Sequence, residues 1–332
     1  MMVDFMQEKC HTRAMQHTSI LIIYQDHHLL LVNKPAGIVI HPTYKNTEGT
    51  MWEILLTFLS TQEDEGWQPP VLPDEPQWAK APPVIQEMLR QQRIERMWKE
   101  DGLLSRPCLL HRLDKDTSGI VALARTENAR RYIARQFHTH TITKRYLAVV
   151  QQGAPEWARP RTDLIVTLRK SAEPGEICEQ RLDANSLFTL QHNEELLVNG
   201  SLQRDPDDRR RSIVGPDGQE ATTIVRKLAS SDAYLLLELQ PVTGRTHQLR
   251  AHLAALGYAI VGDQTYALSA EDGSSSAALK RQFLHAYSLT LRRYPDNERC
   301  TFVAPLADEL VKWMQRYFPS GLGVIDASTI ST

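Results

Sequence analysis

His111-Arg112-Leu113-Asp114-Lys115-Asp116-Thr117-Ser118-Gly119, followed by Ile120-Val121-Ala122-Leu123-Ala124, is the most informative stretch of this 332-residue chain. Its first half is polar, carries both signs of charge and ends on glycine. Its second half is apolar and strand-sized. A loop that feeds a strand in this way sets charged side chains at the strand mouth, a favoured place for binding groups. An Arg-x-Asp pair alone is a common surface ion pair, so the string acquires meaning only from its neighbours.

Upstream, short apolar runs at 20–24 and 29–33 flank the polar Gln25-Asp26-His27-His28 and predict a hairpin. Lys34-Pro35-Ala36-Gly37 breaks the second strand, which is expected to resume over 38–40 before His41-Pro42. A short helix is expected at 51–59. Residues 61–83 hold six prolines and read as an exposed loop, because proline lacks a backbone donor and disfavours helix before it. Helical spacing returns over 84–100, with Ile85, Met88, Leu89, Met97 and Trp98 on an apolar side. Arg90, Arg93, Arg96 and Lys99 line another face, read as solvated charge.

Downstream, Ala129, Ile133 and Phe137 recur at helical spacing in 127–137, and 145–150 alternates like a strand. Residues 151–222 are mixed and turn-rich, with Asp205-Pro206-Asp207-Asp208-Arg209-Arg210-Arg211 and Pro216-Asp217-Gly218 as breakers. A strand at 233–240 and a tight turn at 241–245 precede a helix at 246–256, with Leu249, Leu253 and Leu256 on one face and Gly257 as its stop. A closing helix is expected within 302–319. No internal repeat is present at a solenoid or propeller period.

The chain is 42% hydrophobic and 23% charged, with a net charge of −2. No apolar run approaches the roughly 18 residues that span a bilayer, and the N-terminus lacks the pattern of a secretory signal, so a cytoplasmic protein without a membrane partner is expected. Cys10, Cys108, Cys178 and Cys300 form no close pair of the kind that holds zinc or builds a disulfide framework. The small net charge conceals an uneven distribution. Between Arg125 and Tyr146 six Arg or Lys face one acid, whereas between Ser60 and Lys80 five acids face one lysine. A basic centre of that kind suits an anionic partner.

The string at 111–119 resembles the signature of the RluA family of pseudouridine synthases, enzymes that convert uridine to pseudouridine in RNA. Further segments match in the family's order: Val32-Asn33-Lys34-Pro35-Ala36-Gly37 with His41-Pro42, then Lys144-Arg145-Tyr146. Then come Thr243-Gly244-Arg245-Thr246-His247-Gln248-Leu249-Arg250-Ala251-His252, Gly262-Asp263 with Tyr266, and Leu284-His285-Ala286. The similarity covers roughly residues 20–320.

The resemblance implies an α+β pseudouridine synthase fold: a long, bent, mainly antiparallel sheet with a central catalytic cleft and helices outside. It implies an isomerase acting on tRNA or rRNA, without cofactor or metal, and a monomer is expected. Asp114 falls on the family's nucleophile. A carboxylate must be ionised to attack, and a nearby cation favours that form. Arg250 falls on the arginine that pairs with the aspartate. Tyr146 falls on the tyrosine that stacks on the target base, and is a candidate for removing the C5 proton. Leu253 is expected in the apolar pocket wall. Arg112 is expected to fill the place of a base extruded from the RNA, a step costing a few kcal/mol. His111, Arg245 and His247 are expected to contact the substrate through hydrogen bonds or phosphates. Asn33 and Lys34 are expected to shape the rim, and Asp116 to brace the loop.

Read without the resemblance, Tyr146 is a strand-core tyrosine and Arg250 a helix-surface arginine, while His111, His247, His252 and His285 suggest a metal site. Two rival functions follow from the same residues. One is a nucleosidase or glycosidase using Asp114 and Asp116 as paired carboxylates, although residues two apart on a tight loop are poorly placed to flank a bond at ~5 Å or more. The other is a non-catalytic RNA-binding or RNA-folding module. The expected organisation is a lead-in at 1–19, a catalytic domain at 20–320 and a tail at 321–332. Insertions are expected at about 60–106 and 152–215. The first family motif near residue 20 leaves no room in this sequence for a preceding S4-type RNA-binding domain.

Overall fold

The computed structural model describes residues 20–41, 48–60, 74–162, 164–171, 177–181, 187, 189–191, 194–231, 233–267 and 279–319. The lead-in at 1–19, the tail at 321–332, Pro42, the side chain of Trp98 and residues 61–73 of the proline-rich loop lie outside the described residues.

The chain opens with β1 (Leu21–Gln25) and β2 (Leu29–Lys34), paired antiparallel as the hairpin pattern predicts. The Asp26 carboxylate accepts the backbone N–H groups of His28 and Leu29 and so closes the turn. Residues 38–40 form no strand; instead the carbonyls of Val39 and Ile40 accept the first N–H groups of α1 (Met51–Ser60). Thr50 and Glu53 cap that helix reciprocally, the capping-box solution for orphan helix donors.

Pro76–Lys80 makes a short 3-10 turn in the segment read as plain loop, and Pro83 opens α2 (Pro83–Glu100), where its missing donor costs nothing. The apolar side predicted for α2 becomes core only at its C-terminal end: Met97 is buried and Leu89 half-buried, whereas Ile85 and Met88 are exposed. Arg90 of the cationic stripe pairs with Asp74 and Glu87.

Next come β3 (Leu103–Leu109), β4 (Ser118–Thr126), α3 (Glu127–His138) and β5 (Thr143–Gln152). All nine residues of β4 are buried, which explains its near-continuous apolar run in place of alternation. Thr126 ends the strand and caps α3 by accepting the N–H of Ala129 at 3.4 Å.

The region read as mixed and turn-rich contains five strands: β6 (Ile165–Ser171), β7 (Ile177–Arg181), β8 (Glu194–Asn199), β9 (Leu202–Arg204) and β10 (Ser212–Val214). Then follow β11 (Thr222–Ser230), β12 (Tyr234–Pro241), α4 (Gln248–Ala255) and β13 (Tyr258–Ile260). The chain ends with β14 (Leu284–Arg292), β15 (Arg299–Val303) and α5 (Asp308–Tyr317). The closing helix is therefore shorter than its predicted window, whose start is strand.

Thirteen strands form one sheet in the order β1-β2-β4-β14-β5-β12-β11-β8-β6-β7, with β3, β13 and β15 branching from it. Among the described strands the pairings are antiparallel except β4 with β14. At that parallel contact Gly119 has φ +120°, and a Cβ there would sit 2.2 Å from the Ala286 carbonyl oxygen. Only glycine allows β4 to start so close to β14. Leu147–Val150 of β5, Leu235–Leu237 of β12 and the α5 side chains Leu310, Trp313 and Met314 share the principal core. Deleting such side chains typically costs 2–5 kcal/mol. The mixed sheet with five α-helices among the described residues is the expected α+β class.

Candidate active site

A cavity of about 550 Å³ opens where the loop before β4, strand β5 and helix α4 converge, a size suited to one small ligand. Asp114, Tyr146 and Arg250 all line it, as do Arg112, His111, Arg245 and His247. Three segments far apart in sequence thus meet at one place.

The Asp114 loop is held from below. Lys34 is fully buried, and its Nζ donates to the carbonyls of Pro35 at 2.8 Å and Lys115 at 2.9 Å. Gly37 N–H donates to the same Lys115 carbonyl, and Gln282 holds the Thr117 hydroxyl at 2.7 Å. Lys34 is therefore a buried anchor, not part of the rim. Burial pulls its pKa down to about 7, with Asp116 and Asp114 opposing that pull. Asn33 also points elsewhere, donating to the Pro305 carbonyl at 3.0 Å.

Arg250 reaches the site from α4. The Thr243 hydroxyl and the Arg245 N–H both donate to the Gln248 amide oxygen, at 2.7 and 3.0 Å. This fixes the turn that starts the helix. Arg250 Nε and Nη2 donate to the two oxygens of Asp263 at 2.7 and 2.8 Å, and Nη1 donates to Asp114 Oδ2 at 3.3 Å. Asp263 is fully buried, Arg250 8% exposed and Asp114 31% exposed at the side chain, so the chain of charges runs from core to cavity. Burial lowers the pKa of Arg250, but hydrogen bonding to Asp263 and the charges of both carboxylates outweigh it and leave it raised. A bidentate carboxylate is the geometry that orients a guanidinium best.

Asp263 is a positioning residue that the sequence pattern marked without assigning it a role. Gly262 before it has φ +75°, and a Cβ there would sit 2.1 Å from the Arg281 carbonyl oxygen. The glycine allows the tight turn, and Asp263 Oδ1 then also accepts the N–H groups of Thr265 and Tyr266. The Tyr266 ring lies 4.9 Å beneath the Arg250 guanidinium.

Tyr146 on β5 is 9% exposed. Burial, then the charge of Asp114, pushes its phenol pKa well above the usual value, so it carries its proton at neutral pH. His111 accepts the Ala122 N–H at 3.1 Å and stacks on Phe137. Burial, aided by the Lys144 charge, lowers its pKa to about 3, which makes it a neutral wall and not a phosphate cation. His247, at φ 55°, places Nε2 3.9 Å from Asp114 Oδ2; burial lowers its pKa as well.

Arg112 and Arg245 are exposed at the cavity edge, and Lys144 adds a third cation. Leu253 is 1% exposed in the principal core and does not line the cavity; Leu113, Leu249 and Leu284, with Phe137 and Pro241, contribute its apolar surface. Asp116 is exposed and not among the lining residues, which separates the two carboxylates that a glycosidase reading would pair. His252 and His285 are tied singly within the core, to Thr223 and Gly200 and to Ser118 and Ala304. Among the described residues no group of three His, Cys, Asp or Glu is placed to hold a metal.

The family model described as RNA pseudouridylate synthase matches residues 28–255. A ribosomal large subunit pseudouridine synthase D from Nitrosomonas europaea is 28% identical over 297 residues, covering 89% of this chain and 64% of that protein. An uncharacterized RNA pseudouridine synthase from Chloroflexus aurantiacus is 31% identical over 278 residues, covering 84% of this chain and 63% of that protein. The chain thus spans somewhat under two thirds of the length of these relatives. Among solved structures, human RNA Pseudouridylate Synthase Domain Containing 4 superposes with a TM-score of 0.50 at 22% identity, over 89% of this chain and 92% of that one; this is a likeness of fold.

Proposed function

The chain belongs to the RNA pseudouridylate synthase family, and on that premise we propose that it isomerises a uridine within RNA to pseudouridine, with Asp114 as nucleophile. The observation that carries this reading is the Asp263–Arg250–Asp114 relay opening beside Tyr146 in a single cavity. Arg250 aims the Asp114 carboxylate, since a guanidinium stays protonated and presents fixed donors. Attack at the ribose C1′ or the uracil C6 leads to the same sequence. The glycosidic C–N bond breaks, the uracil turns, a C–C bond forms at C5, and the bond to Asp114 is released. The proton lost from C5 balances the one gained by N1, so the reaction is redox-neutral.

Tyr146 supplies a stacking wall for the flipped base, worth about 1–3 kcal/mol by analogy with single-strand binding. To remove the C5 proton it would first have to lose its own, against burial and the Asp114 charge. Arg112, exposed at the edge, fills the vacated stack. The relative from Nitrosomonas europaea is named for the ribosomal large subunit, which makes large-subunit rRNA the first substrate to assay.

The test is nucleoside analysis of rRNA and tRNA transcripts after incubation with the protein. Pseudouridine should appear at a defined site with no change in mass. Released uracil would favour a glycosidase, and RNA binding without either product would favour a non-catalytic module. Arg112→Ala should slow reaction on a folded RNA more than on a loop uridine already unstacked; equal losses would count against the flipping role.

A further inference from the structure

Within residues 152–215, where an insertion is expected from the sequence, β9 and β10 form a separate two-stranded hairpin. It stands on the active-site helix. Leu202 and Val214 pack with Ala251, Ala254 and Ala255 of α4 and with Tyr266. The Tyr266 hydroxyl accepts the Ser212 N–H at 2.8 Å and donates to the Ser212 carbonyl at 2.9 Å. The same hydroxyl lies 3.4 Å from His247 Nδ1, so the hairpin is bolted to a residue that lines the cavity.

The hairpin tip sorts its charges. Asp205 is fully buried and pairs with Arg211 at 2.7 Å and Arg161 at 3.4 Å. Asp207 pairs with Arg161 and Asp208 with Arg210. Arg211 is pinned further by stacking over Trp157 at 3.8 Å. Every acid of the tip is thereby engaged, and Arg204 and Arg209 have no carboxylate within ion-pair distance among the described residues. Both are exposed. Arg204 Nη1 donates to the Arg209 carbonyl at 2.7 Å, which orients the guanidinium and leaves most of its five donors unspent. Its charge is also felt at His247, where it contributes to the lowered pKa.

We propose that the hairpin Leu202–Val214 is a phosphate-binding arm for the RNA strand beside the cavity, with Arg204 as its contact residue. The proposal rests on the RNA isomerase reading above and deepens it. A preoriented, unpaired guanidinium matches a phosphate, and its rigid mounting on α4 and Tyr266 couples the position of the strand to Arg250. Backbone contacts of this kind set the register of the RNA without reading its sequence.

The test is the dissociation constant of the full chain for an in-vitro large-subunit rRNA transcript across a salt series, alongside steady-state pseudouridine formation. Arg204→Ala should weaken binding several-fold and lower the magnitude of the log–log salt slope by about 1, with the loss falling on KM more than on kcat. Arg204→Lys should restore most of the affinity, and Arg204→Glu should be the weakest binder. Lys312→Ala, which removes an exposed charge from α5, serves as the control and should change neither quantity. Wild-type affinity and slope in Arg204→Ala, with turnover present, would overturn the arm while sparing the isomerase reading. A wild-type chain that neither binds the transcript nor forms pseudouridine would overturn both.

Discussion

Two clusters of carboxylate and guanidinium, one in the cleft and one at the hairpin tip, are built from the same parts to opposite ends. In the cleft, one arginine serves two acids: Asp263 is buried, Arg250 is nearly so, and Asp114 emerges into the cavity. At the hairpin, one buried acid, Asp205, serves two arginines, with Arg211 17% and Arg161 37% exposed at the side chain. The first leaves an anion facing the cavity. The second consumes its anions and leaves cations facing out. Burying the hub of each cluster makes its geometry rigid, and the residue ratio decides which sign of charge is presented.

The comparison breaks most sharply at the open end of the cleft cluster. Asp114→Asn keeps size and most hydrogen bonding but removes the carboxylate proposed as nucleophile, so pseudouridine formation should fall by at least about 1,000-fold. Affinity for the RNA transcript should change little, which separates chemistry from binding. A variant that turns over at a tenth of the wild-type rate would show that Asp114 is not the nucleophile.

Next in size is the pair of hub substitutions. Asp263→Asn leaves Arg250 buried without its bidentate partner, and breaking a buried pair costs about 3–5 kcal/mol. Both melting temperature and turnover should drop. Asp205→Asn should cost less, because Arg161 and Arg211 retain solvent, and its kinetic loss should appear in KM. Equal effects of the two on kcat would erase the distinction between the clusters.

Acid should strike the cleft half before the hairpin, which contains no histidine. Burial lowers His111 to about 3 and His252 and His285 to about 4. The unfolded chain therefore binds protons more readily than the fold does below the ordinary histidine value. The stability these groups contribute is full above about pH 6.5 and is lost as pH falls toward 4, on the order of 3 kcal/mol for one such residue. Melting followed from pH 7 to 4.5 should show a steep decline; a flat profile would mean these rings are not buried neutral.

The smallest effect concerns the floor under Asp114. Lys34→Met leaves the Pro35 carbonyl without its donor, a loss of about 1–3 kcal/mol, and loosens the loop without touching substrate. Turnover should fall modestly, with RNA affinity retained. A full loss of activity at wild-type stability would mean that Lys34 takes part in the chemistry.

Much of the fold was legible where local pattern suffices. The opening hairpin, the apolar run of β4, helix α3 and the turn before α4 all lie where spacing and turn chemistry placed them. Residues 38–40 failed because three apolar residues look alike in a strand and in a linker. The α2 stripe is buried at Met97 but exposed at Ile85 and Met88, because amphipathic spacing states which side chains share a face and not whether another element covers it. Strands β6 to β10 were missed because their polar, turn-broken sequence becomes strand only through pairing across the sheet and in the hairpin.

The sequence by itself determined the vocabulary of the candidate site: an aspartate on a glycine-ended loop, a tyrosine on a strand, an arginine after a tight turn, each in a recognisable setting. Only the tertiary structure decided that Asp263 would orient Arg250, that Lys34 would lie beneath the loop rather than at its rim, and that Leu253 would be core while Leu249 and Leu284 line the cavity. Local propensity acts over a few residues. Asp114 and Arg250 stand 136 positions apart, and a charge acquires its partner only when packing of the sheet closes that distance.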